Sequence, residues 1–402
     1  MYTLILTNLI AQETMDGLVI DDLWAIDLEE HTRYIDQLRI VGRCARSLKI
    51  TSAIPVSLTC SSTPVGCHWG ADFQWVRGWR TGREFVQLFL SNLSILRKII
   101  RDASVVHTGV VGWPIPDGYY VIPLAVLYRK KIVVVLESGN WSVPDFSFAE
   151  LQTYGRARLK RWWTRLLLNR CCFVVSTNQG YFQQLELSDS LPKAVIPASW
   201  ISDSDIVSAD FLDGQLKEVA GERFAFFGRL TQNKGILILI NTLNELVRTG
   251  DKVYIDIYGV GELESQIHRL VEETRGTSVQ VRVMGIVDYG KQFFETLDKY
   301  STVIVPTVSL EQPRIIYDCF ARGTLVIASN TIGNAEVIEH GINGILFTSA
   351  DHLALADAIR RVLTRQTEVA AMRKSARLTA TRHTHQEMHR KRFKLLKEHG
   401  VL

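Results

Sequence analysis

The sequence predicts an α/β protein with two domains, each built on a parallel β-sheet. Runs of β-branched and apolar residues alternate with segments of helical periodicity along most of the chain, which is the pattern of repeated strand–helix–strand units. Several of these runs end in glycine or a polar residue, as strands do where a parallel sheet binds ligands. The length of 402 residues exceeds what one hydrophobic core usually supports, so we expect two domains.

The C-terminal half has the clearer pattern. Its apolar, β-branched runs alternate with helical segments, which indicates strand–helix–strand units and a parallel sheet covered on both faces. These runs are 224–228, 253–259, 279–285, 302–307 and 324–329. The segments between them, such as 236–250 and 288–300, have the periodicity of helices.

The N-terminal half repeats this pattern less regularly. Its predicted strands are 2–9, 105–109, 131–138, 172–177 and 193–199. Helical patterns at 82–102 and 148–169 separate several of them. The prediction of a sheet in the N-terminal half therefore depends on the same alternation of strands and helices as in the C-terminal half.

A polar, acidic segment, 201–222, has little apolar periodicity and suggests the boundary between the domains. We therefore predict one domain at 1–200 and a second at 201–382. The basic, helical tail 383–402 follows the last strand–helix unit, and we expect it to pack back on the first domain.

Composition excludes several classes of protein. A net charge of +4 does not indicate nucleic acid binding. The six cysteines form no C-x-x-C pair, and the adjacent Cys171 and Cys172 lie in an apolar run, which favours buried reduced thiols. The N-terminus lacks a basic region and a cleavage site, and no apolar run reaches bilayer-spanning length, so we expect a first strand and a cytoplasmic protein.

The loop 226–235, FFGRLTQNKG, joins a strand to a helix. Gly228 allows a sharp turn, Arg229 and Lys234 supply two cations, and Gly235 opens the helix. Backbone N–H groups at a helix N-terminus together with two cations suit a diphosphate. The alternative is that both cations are solvated loop charges. Neither the Walker A pattern nor the G-x-G-x-x-G dinucleotide pattern is present.

Similar turns follow the later strands. YGVGE carries the paired glycines Gly259 and Gly261, and the turn at 284–287 could offer backbone groups to a nucleobase. Segment 310–323, LEQPRIIYDCFARG, has Glu311 as its second residue, and Pro313 suits a first helical position. A fifth turn lies in 329–347.

Taken in order, these motifs resemble the donor domain of glycosyltransferase family 4, over about residues 222–365. The resemblance implies the GT-B fold, with two Rossmann-like domains whose parallel sheets face a central cleft. It also implies retaining transfer from a nucleotide sugar without a required metal or other cofactor. By the same resemblance, Arg229 and Lys234 would hold the diphosphate and Asp318 the ribose hydroxyls. The remaining donor-binding positions would be Gly228, Gly259, Gly261, Ile286, Val287, Arg314 and Ile315.

The acidic pair in segment 310–323 departs from the family. The family usually places seven residues between its two glutamates, whereas six separate Glu311 from Asp318. Glu311 therefore either shifts one place along the loop to meet the donor sugar or faces away. Arg314 has two readings as well: an intrahelical ion pair with Asp318, or a phosphate contact.

The N-terminal half departs further. The family often has a Gly-Gly loop after the first strand, but here only Gly17 is found in that region. Glu137, followed by Ser138-Gly139-Asn140, stands where the family often has histidine. Glu137 could orient an acceptor hydroxyl or cap the following loop, and His107 could act in catalysis or satisfy a backbone group. Because the leaving diphosphate is thought to take the acceptor proton in this family, a missing base does not exclude activity.

Three other patterns suggest sites of other kinds. Asp203-Ser204-Asp205 spells the D-x-D of metal-dependent transferases, but its polar surroundings favour solvated charge. His383, His385 and His389 resemble a metal cluster without a clear fourth ligand, so no metal site is predicted. Segment 156–170, with five arginines, a lysine and two tryptophans, suits either a membrane-surface helix or a domain helix with one basic face.

The sequence therefore predicts a retaining glycosyltransferase that uses a UDP- or GDP-linked sugar. Its acceptor would be a glycan or lipid-linked saccharide, as in exopolysaccharide or cell-envelope assembly, with peripheral contact at the inner face of the membrane through 156–170. The alternatives are a nucleotide-sugar epimerase on the same fold and a catalytically inactive sugar-nucleotide-binding scaffold.

Overall fold

A computed structural model describes residues 1–14, 17–45, 53–56, 71–139, 141, 151–218 and 223–402. Cys60, Cys67, Asn140 and the first residues of the helical pattern 148–169 lie outside this part of the chain. The chain divides into an N-terminal unit, residues 1–196 and 388–402, and a C-terminal unit, residues 197–387. No helix within the described ranges combines the length and apolar character needed to cross a bilayer.

The N-terminal unit contains one mixed β-sheet. Its strands are β1 (Tyr2–Thr14), β2 (Gly17–Asp21), β3 (Leu38–Ala45), β4 (Ala53–Val56), β5 (Asp72–Arg77), β6 (Val105–Gly109), β7 (Lys131–Leu136), β8 (Phe173–Ser176) and β9 (Lys193–Val195). Parallel pairing runs β5-β3-β1-β6-β7-β8-β9. The end of β1 pairs antiparallel with β2, which pairs antiparallel with β4. The expectation of an all-parallel first sheet is therefore wrong at this edge.

Five helices accompany this sheet. They are α1 (Asp22–Thr32), α2 (Gly82–Asp102), α3 (Gly118–Leu127), α4 (Leu151–Leu168) and α5 (Gln179–Leu185). The long α2 begins at Thr81, whose side chain accepts a hydrogen bond from the backbone N–H of Glu84. Leu96, Ile99 and Ile100 on one face of α2 are buried, as expected for an amphipathic helix on a sheet.

The C-terminal unit is a parallel sheet in the order β12-β11-β10-β13-β14-β15. Its strands are β10 (Arg223–Phe227), β11 (Val253–Tyr258), β12 (Val279–Gly285), β13 (Thr302–Val305), β14 (Leu325–Ser329) and β15 (Ile345–Phe347). The five strands predicted in this half are all confirmed. Two described core clusters, on the two faces, bury these strands between helices.

The helices of this unit are α6 (Ala209–Glu218), α7 (Ile236–Thr249), α8 (Glu264–Glu273), α9 (Lys291–Leu297), α10 (Ile315–Ala321), α11 (Ile332–Ala335), α12 (His352–Thr364) and α13 (Gln366–Ala380). Helix α10 begins later than predicted. Arg314 is its N-cap and Pro313 precedes the helix, where the Pro313 carbonyl accepts from the N–H of Ile316. The predicted stop at Gly323 is confirmed, since this residue follows the C-cap in the left-handed conformation at φ +62°.

The last helix, α14 (His385–Glu398), belongs to the N-terminal unit from Met388 onward. Its His389 Nε2 donates to a carboxylate oxygen of Asp27 at 3.1 Å, and the Tyr34 hydroxyl lies 3.0 Å from His389 Nδ1. Arg392 donates to His31 Nε2 at 3.0 Å, and the His31 Nδ1 lies 2.8 Å from the Asp27 carbonyl. A buried acid and a buried arginine are thus connected through two imidazoles.

The electrostatics of this cluster explain why it holds α14. Burial alone would raise the pKa of Asp27, but His31, His389 and Arg392 hold that pKa below its ordinary value. Burial lowers the pKa of His389, so its imidazole is neutral at pH 7. The ionised Asp27 therefore balances the charge of Arg392 within one hydrogen-bonded cluster.

We expect Asp27→Asn to destabilise the N-terminal unit by roughly 3 kcal/mol, because the buried Arg392 then loses the carboxylate that acts on its charge most strongly. Chemical denaturation would measure the change. Glu29→Gln is the matched control, since Glu29 lies on the same helix but is 51% exposed in its pair with Arg33. Equal stability of the two variants would contradict the role given to Asp27.

Candidate functional site

The loops after β10, β11 and β12 meet at one edge of the C-terminal sheet. The backbone N–H of Gly228 donates to the carbonyl of Tyr258 at 3.0 Å, and that of Gly259 donates to the carbonyl of Gly285 at 2.7 Å. The N–H of Leu230 donates to the carbonyl of Val260 at 3.0 Å. The three predicted turns therefore form one hydrogen-bonded surface at the carboxyl ends of the strands, where such sheets bind ligands.

Gly259 makes this close meeting of loops possible. Its φ of +135° is one that side-chain-bearing residues rarely adopt. A Cβ atom at this position would lie 1.9 Å from the carbonyl oxygen of Gly228. The predicted G-x-G turn at 259–261 is thus required by backbone packing, whatever ligand contact it makes.

The two predicted cations lie on the loop between β10 and α7. Arg229 is exposed and, among the residues that the structure describes, pairs with no carboxylate. Lys234 Nζ lies 2.6 Å from Glu311 Oε1. Gly235 caps α7, a helix of 14 residues whose first N–H groups lack intrahelical partners. These groups form a positive region suited to an anion.

Lys234 also lines a pocket of about 440 Å³, measured with its open mouth. The pocket lies between the ends of β10 and β13 and the start of α10. Its walls are Phe226, Phe227, Lys234, Val305, Thr307, Pro313, Arg314 and Ile315. The predicted donor-binding residues Lys234, Arg314 and Ile315 are therefore brought together around one opening.

The loop that carries Glu311 is held by α11. The side-chain amide of Gln312 donates to the carbonyl of Gly333 at 3.0 Å. A Cβ atom on Gly333 would lie 2.8 Å from the carbonyl oxygen of Leu310, so only glycine permits this approach. Of the two orientations left open by the sequence, the structure has Glu311 turned toward Lys234.

Asp318, on the first turn of α10, is only 4% exposed. The hydroxyl of Tyr289 donates to its Oδ1 at 3.0 Å. Burial raises the pKa of Asp318 to about 7, although the hydrogen bond from Tyr289 and the charge of Arg314 oppose the rise. An aspartate is one methylene shorter than the glutamate usual in the family, so its carboxyl lies closer to the helix and under Tyr289.

Arg314 forms no ion pair with Asp318 within 4 Å, so that reading of the sequence is wrong. Its guanidinium lies over the ring of Trp200, 5.5 Å from the ring centre. Trp200 stacks in turn on His385 at 5.0 Å. The exposed Arg314 is thus held beside the pocket by an aromatic support that no sequence motif indicated.

Beyond the glycine turns, Ile286 is 69% exposed and Val287 packs partly against the core. The aromatic rings of Phe227 and Tyr258 stack at 4.5 Å beside the pocket. Tyr258 is fixed by a hydrogen bond of 2.8 Å to Tyr300. The stacked rings are therefore held in place beside the pocket.

The two catalytic residues predicted in the N-terminal unit differ in their surroundings. His107 is 3% exposed, and its Nδ1 lies 2.9 Å from the Tyr2 hydroxyl. Burial lowers the pKa of His107 well below its ordinary value. The enclosed imidazole argues for the structural alternative. Glu137 is exposed just after β7, at the carboxyl end of the sheet, and stays a predicted acceptor contact.

The residues of the two patterns that suggested metal sites have other contacts in the structure. Ser202 caps the turn Asp203–Asp205, and its hydroxyl donates to Asp205 at 2.6 Å. His385 packs on Trp200, whereas His389 belongs to the α14 cluster. In the described part of the chain, Asp27, His31 and His389 offer ligand atoms within 4.8 Å of one another. Their nitrogen atoms already take part in hydrogen bonds and face Arg392, which disfavours a cation there.

We expect Asp318→Asn to stabilise the protein at pH 8 by a few kcal/mol, on the order set by the pKa shift, and by clearly less at pH 5, where only part of that stability has been lost. A raised pKa means that the stability contributed by the carboxyl is present below about pH 4 and is lost as the pH rises to about 7. Asparagine keeps the acceptor for Tyr289 and removes the buried charge.

Melting curves at both pH values would measure this difference. Asp210→Asn, at an exposed position on α6, is the control and should shift neither curve. A shift of the Asp318 variant that is the same at pH 5 and pH 8 would show that the carboxyl does not titrate in this range.

The chain is similar to several known proteins. Residues 221–365 match the family described as glycosyl transferases group 1. An uncharacterized glycosyltransferase of Methanocaldococcus jannaschii is 29% identical over 140 residues, or 34% of this chain and 35% of that protein. The lipopolysaccharide core biosynthesis glycosyltransferase LpsE of Rhizobium meliloti is 29% identical over 137 residues, or 34% of this chain and 38% of that protein. The matches thus span about a third of these relatives.

Similarity of fold extends over nearly the whole chain. HepE of Anabaena, solved in complex with UDP, has a TM-score of 0.65 at 17% identity, over 99% of this chain and 100% of that one. Sucrose-phosphate synthase of Thermosynechococcus elongatus has a TM-score of 0.70 at 14% identity, over 99% of each chain. Both units are therefore Rossmann-like, and the fold is GT-B. The part of this chain that matches the glycosyl transferases group 1, residues 221–365, forms most of its C-terminal unit.

Proposed function

We propose that this protein is a retaining glycosyltransferase that moves a sugar from a UDP- or GDP-linked donor to a glycan or lipid-linked saccharide. One observation carries the proposal: Lys234 lines the pocket at the carboxyl edge of the C-terminal sheet and pairs with Glu311 at 2.6 Å. Together with the exposed Arg229 on the same loop as Lys234, these charges match a donor that presents a diphosphate next to a sugar.

The parts of the donor would be divided among the loops as follows. The diphosphate would lie against Arg229, Lys234 and the N-terminus of α7, whose N–H groups face an anion favourably. The ribose would lie by Asp318 and the base by Ile286 and Val287. Because the two cations would balance the charge of the diphosphate, we propose that no metal is required.

Glu311 would contact the donor sugar. In the structure it pairs with Lys234 at 2.6 Å, so the incoming diphosphate would replace Glu311 as the partner of Lys234. Glu311 would then be released toward the sugar hydroxyls. The loop that carries it is short and held by Gly333, which keeps the carboxylate near the pocket throughout.

The transfer itself would break the bond from the sugar anomeric carbon to the diphosphate and form one to the acceptor oxygen on the same face. The acceptor proton would pass to the departing phosphate oxygen. The protein would stabilise negative charge on the diphosphate and align the partners. Glu137, exposed at the end of β7, would orient the acceptor hydroxyl.

The names of similar proteins guide the choice of acceptor. LpsE is named for lipopolysaccharide core biosynthesis, and AmsK of Erwinia amylovora, 25% identical over 161 residues, is named for amylovoran biosynthesis. We therefore propose a saccharide of the cell envelope or an exopolysaccharide as acceptor.

The double variant Arg229→Ala/Lys234→Ala is expected to weaken binding of UDP or GDP by about a hundredfold, because two charge-assisted contacts to phosphate are lost. Calorimetry measures the affinity directly, after a thermal-shift screen has identified the preferred nucleotide. The control is Arg269→Ala/Lys299→Ala, which removes two exposed cations elsewhere in the same unit. Nucleotide binding that survives in the first variant would overturn the site assignment.

Glu311→Gln is expected to slow sugar transfer by tenfold or more while the affinity for free UDP or GDP stays equal or rises. The reason is that glutamine removes the carboxylate that competes for Lys234 and also weakens the contact to the sugar. Steady-state kinetics and calorimetry on the same preparation separate the two effects. Unchanged transfer together with tighter nucleotide binding would leave Glu311 as a counter-ion only.

The same assays distinguish the alternatives. A nucleotide-sugar epimerase would convert donor without acceptor, whereas a transferase requires both. Donor binding without transfer or donor hydrolysis, across a panel of saccharide acceptors, would favour an inactive scaffold. Nuclear magnetic resonance of the product linkage would test retention, since an inverted anomeric centre contradicts the proposed chemistry.

A further inference from the structure

Three helices of the N-terminal unit, α2, α3 and α4, lie side by side. Arg97 of α2 donates to the hydroxyl of Tyr128, at the end of α3, at 2.6 Å. The hydroxyl of Tyr119 on α3 lies 2.7 Å from the hydroxyl of Thr164 on α4. The three helices therefore present one continuous outer surface, which we call the helical face.

Helix α4 exposes an apolar stripe on this face. Leu159, Trp162 and Leu166 are 63%, 57% and 37% exposed. Their spacing of three and four residues puts them on one side of the helix. Leu167 and Leu168 on the opposite side are buried, so the packing needs of the fold are met without the stripe.

Cations border the stripe on both sides. Helical geometry places Arg158 and Arg165 along one edge and Arg156 and Lys160 along the other. The sequence of α4 has five basic residues and no acidic one. Glu186 pairs with Arg161 and Arg165 at 2.8 and 2.9 Å, but within the described residues no carboxylate lies within 4 Å of Arg156 or Lys160.

The neighbouring helices continue the apolar surface. Leu127 of α3 is 69% exposed, and Val86 and Leu90 of α2 are 71% and 76% exposed. Helix α3 carries no charged residue at all. Exposed leucine, valine and tryptophan side chains over three adjoining helices are more than a soluble surface requires.

We propose that the helical face docks on the surface of an anionic lipid bilayer. Helix α4 would lie in the plane of the interface, with Leu159, Trp162 and Leu166 at the level of the upper acyl chains and the flanking cations at the phosphates. An apolar stripe with basic residues on both sides is the arrangement that in-plane membrane helices use. This proposal concerns a surface separate from the donor site and does not depend on transferase activity.

The test is co-sedimentation of the full chain with phosphatidylcholine vesicles that contain or lack phosphatidylglycerol. We expect binding to the anionic vesicles and a loss of affinity of at least about thirtyfold in Arg156→Glu/Lys160→Glu, since each cation near such a surface contributes about 1 kcal/mol. Arg269→Glu/Lys299→Glu changes the net charge equally on the other unit and should bind like the wild type.

A second measurement reports the stripe itself. Lipids brominated on the acyl chain should quench tryptophan fluorescence of the wild type more than that of Trp162→Phe, because Trp162 would reach the acyl region. Leu159→Ser/Leu166→Ser should weaken vesicle binding by a factor that changes little with salt concentration. Melting curves and UDP affinity of each variant confirm that it is folded.

Two results would overturn the proposal. One is that the wild-type protein stays in the supernatant with anionic vesicles, or that Arg156→Glu/Lys160→Glu binds these vesicles as tightly as the wild type does. The other is a concentration-dependent dimer in light scattering that Leu159→Ser/Leu166→Ser abolishes, since the stripe would then bind a second copy of the chain instead of lipid.

Discussion

Parallel strand pairing brings the carboxyl end of every strand to the same edge of a sheet, and the donor site of the C-terminal unit depends on this constraint. The loops that follow β10, β11, β12 and β13 are far apart in sequence. They meet at this edge because the four strands run in the same direction. The hydrogen bonds among Gly228, Tyr258, Gly259 and Gly285 then turn three separate loops into one rigid surface. Charged side chains on such a surface need little reorganisation to receive an anion.

The fold could be predicted wherever strands are buried on both faces. All ten predicted runs became strands, because continuous β-branched sequence has few other stable arrangements. Strands β3 and β5 were missed, since polar residues interrupt them. Arg39 of β3 pairs with Asp72 of β5 at 2.6 Å, so a cross-strand ion pair supplies part of the pairing there. Antiparallel β2 and β4 were also missed, because these apolar strands are only five and four residues long.

The site was predictable only as far as its residues share a motif. Arg229 and Lys234 belong to one loop, so their location followed from the strand before them. The orientation of Glu311 depends on Lys234, 77 residues away, and the sequence could not decide it. Tyr289 and Trp200 carry no motif, and their contacts with Asp318 and Arg314 depend on side-chain packing between distant segments. His107 lies within a predicted strand, but its burial depends on α1 and α14.

The buried Asp318 carboxyl couples the donor site to the proton concentration of the solution. With a pKa of about 7, it holds a proton in roughly half of the molecules at neutral pH. In the proposed function, the ribose hydroxyls donate hydrogen bonds to this carboxyl and so favour its ionised form. Nucleotide binding would then release a fraction of a proton to the solvent. The heat of nucleotide capture then varies with the ionisation enthalpy of the buffer, and acidification of the surroundings releases bound nucleotide.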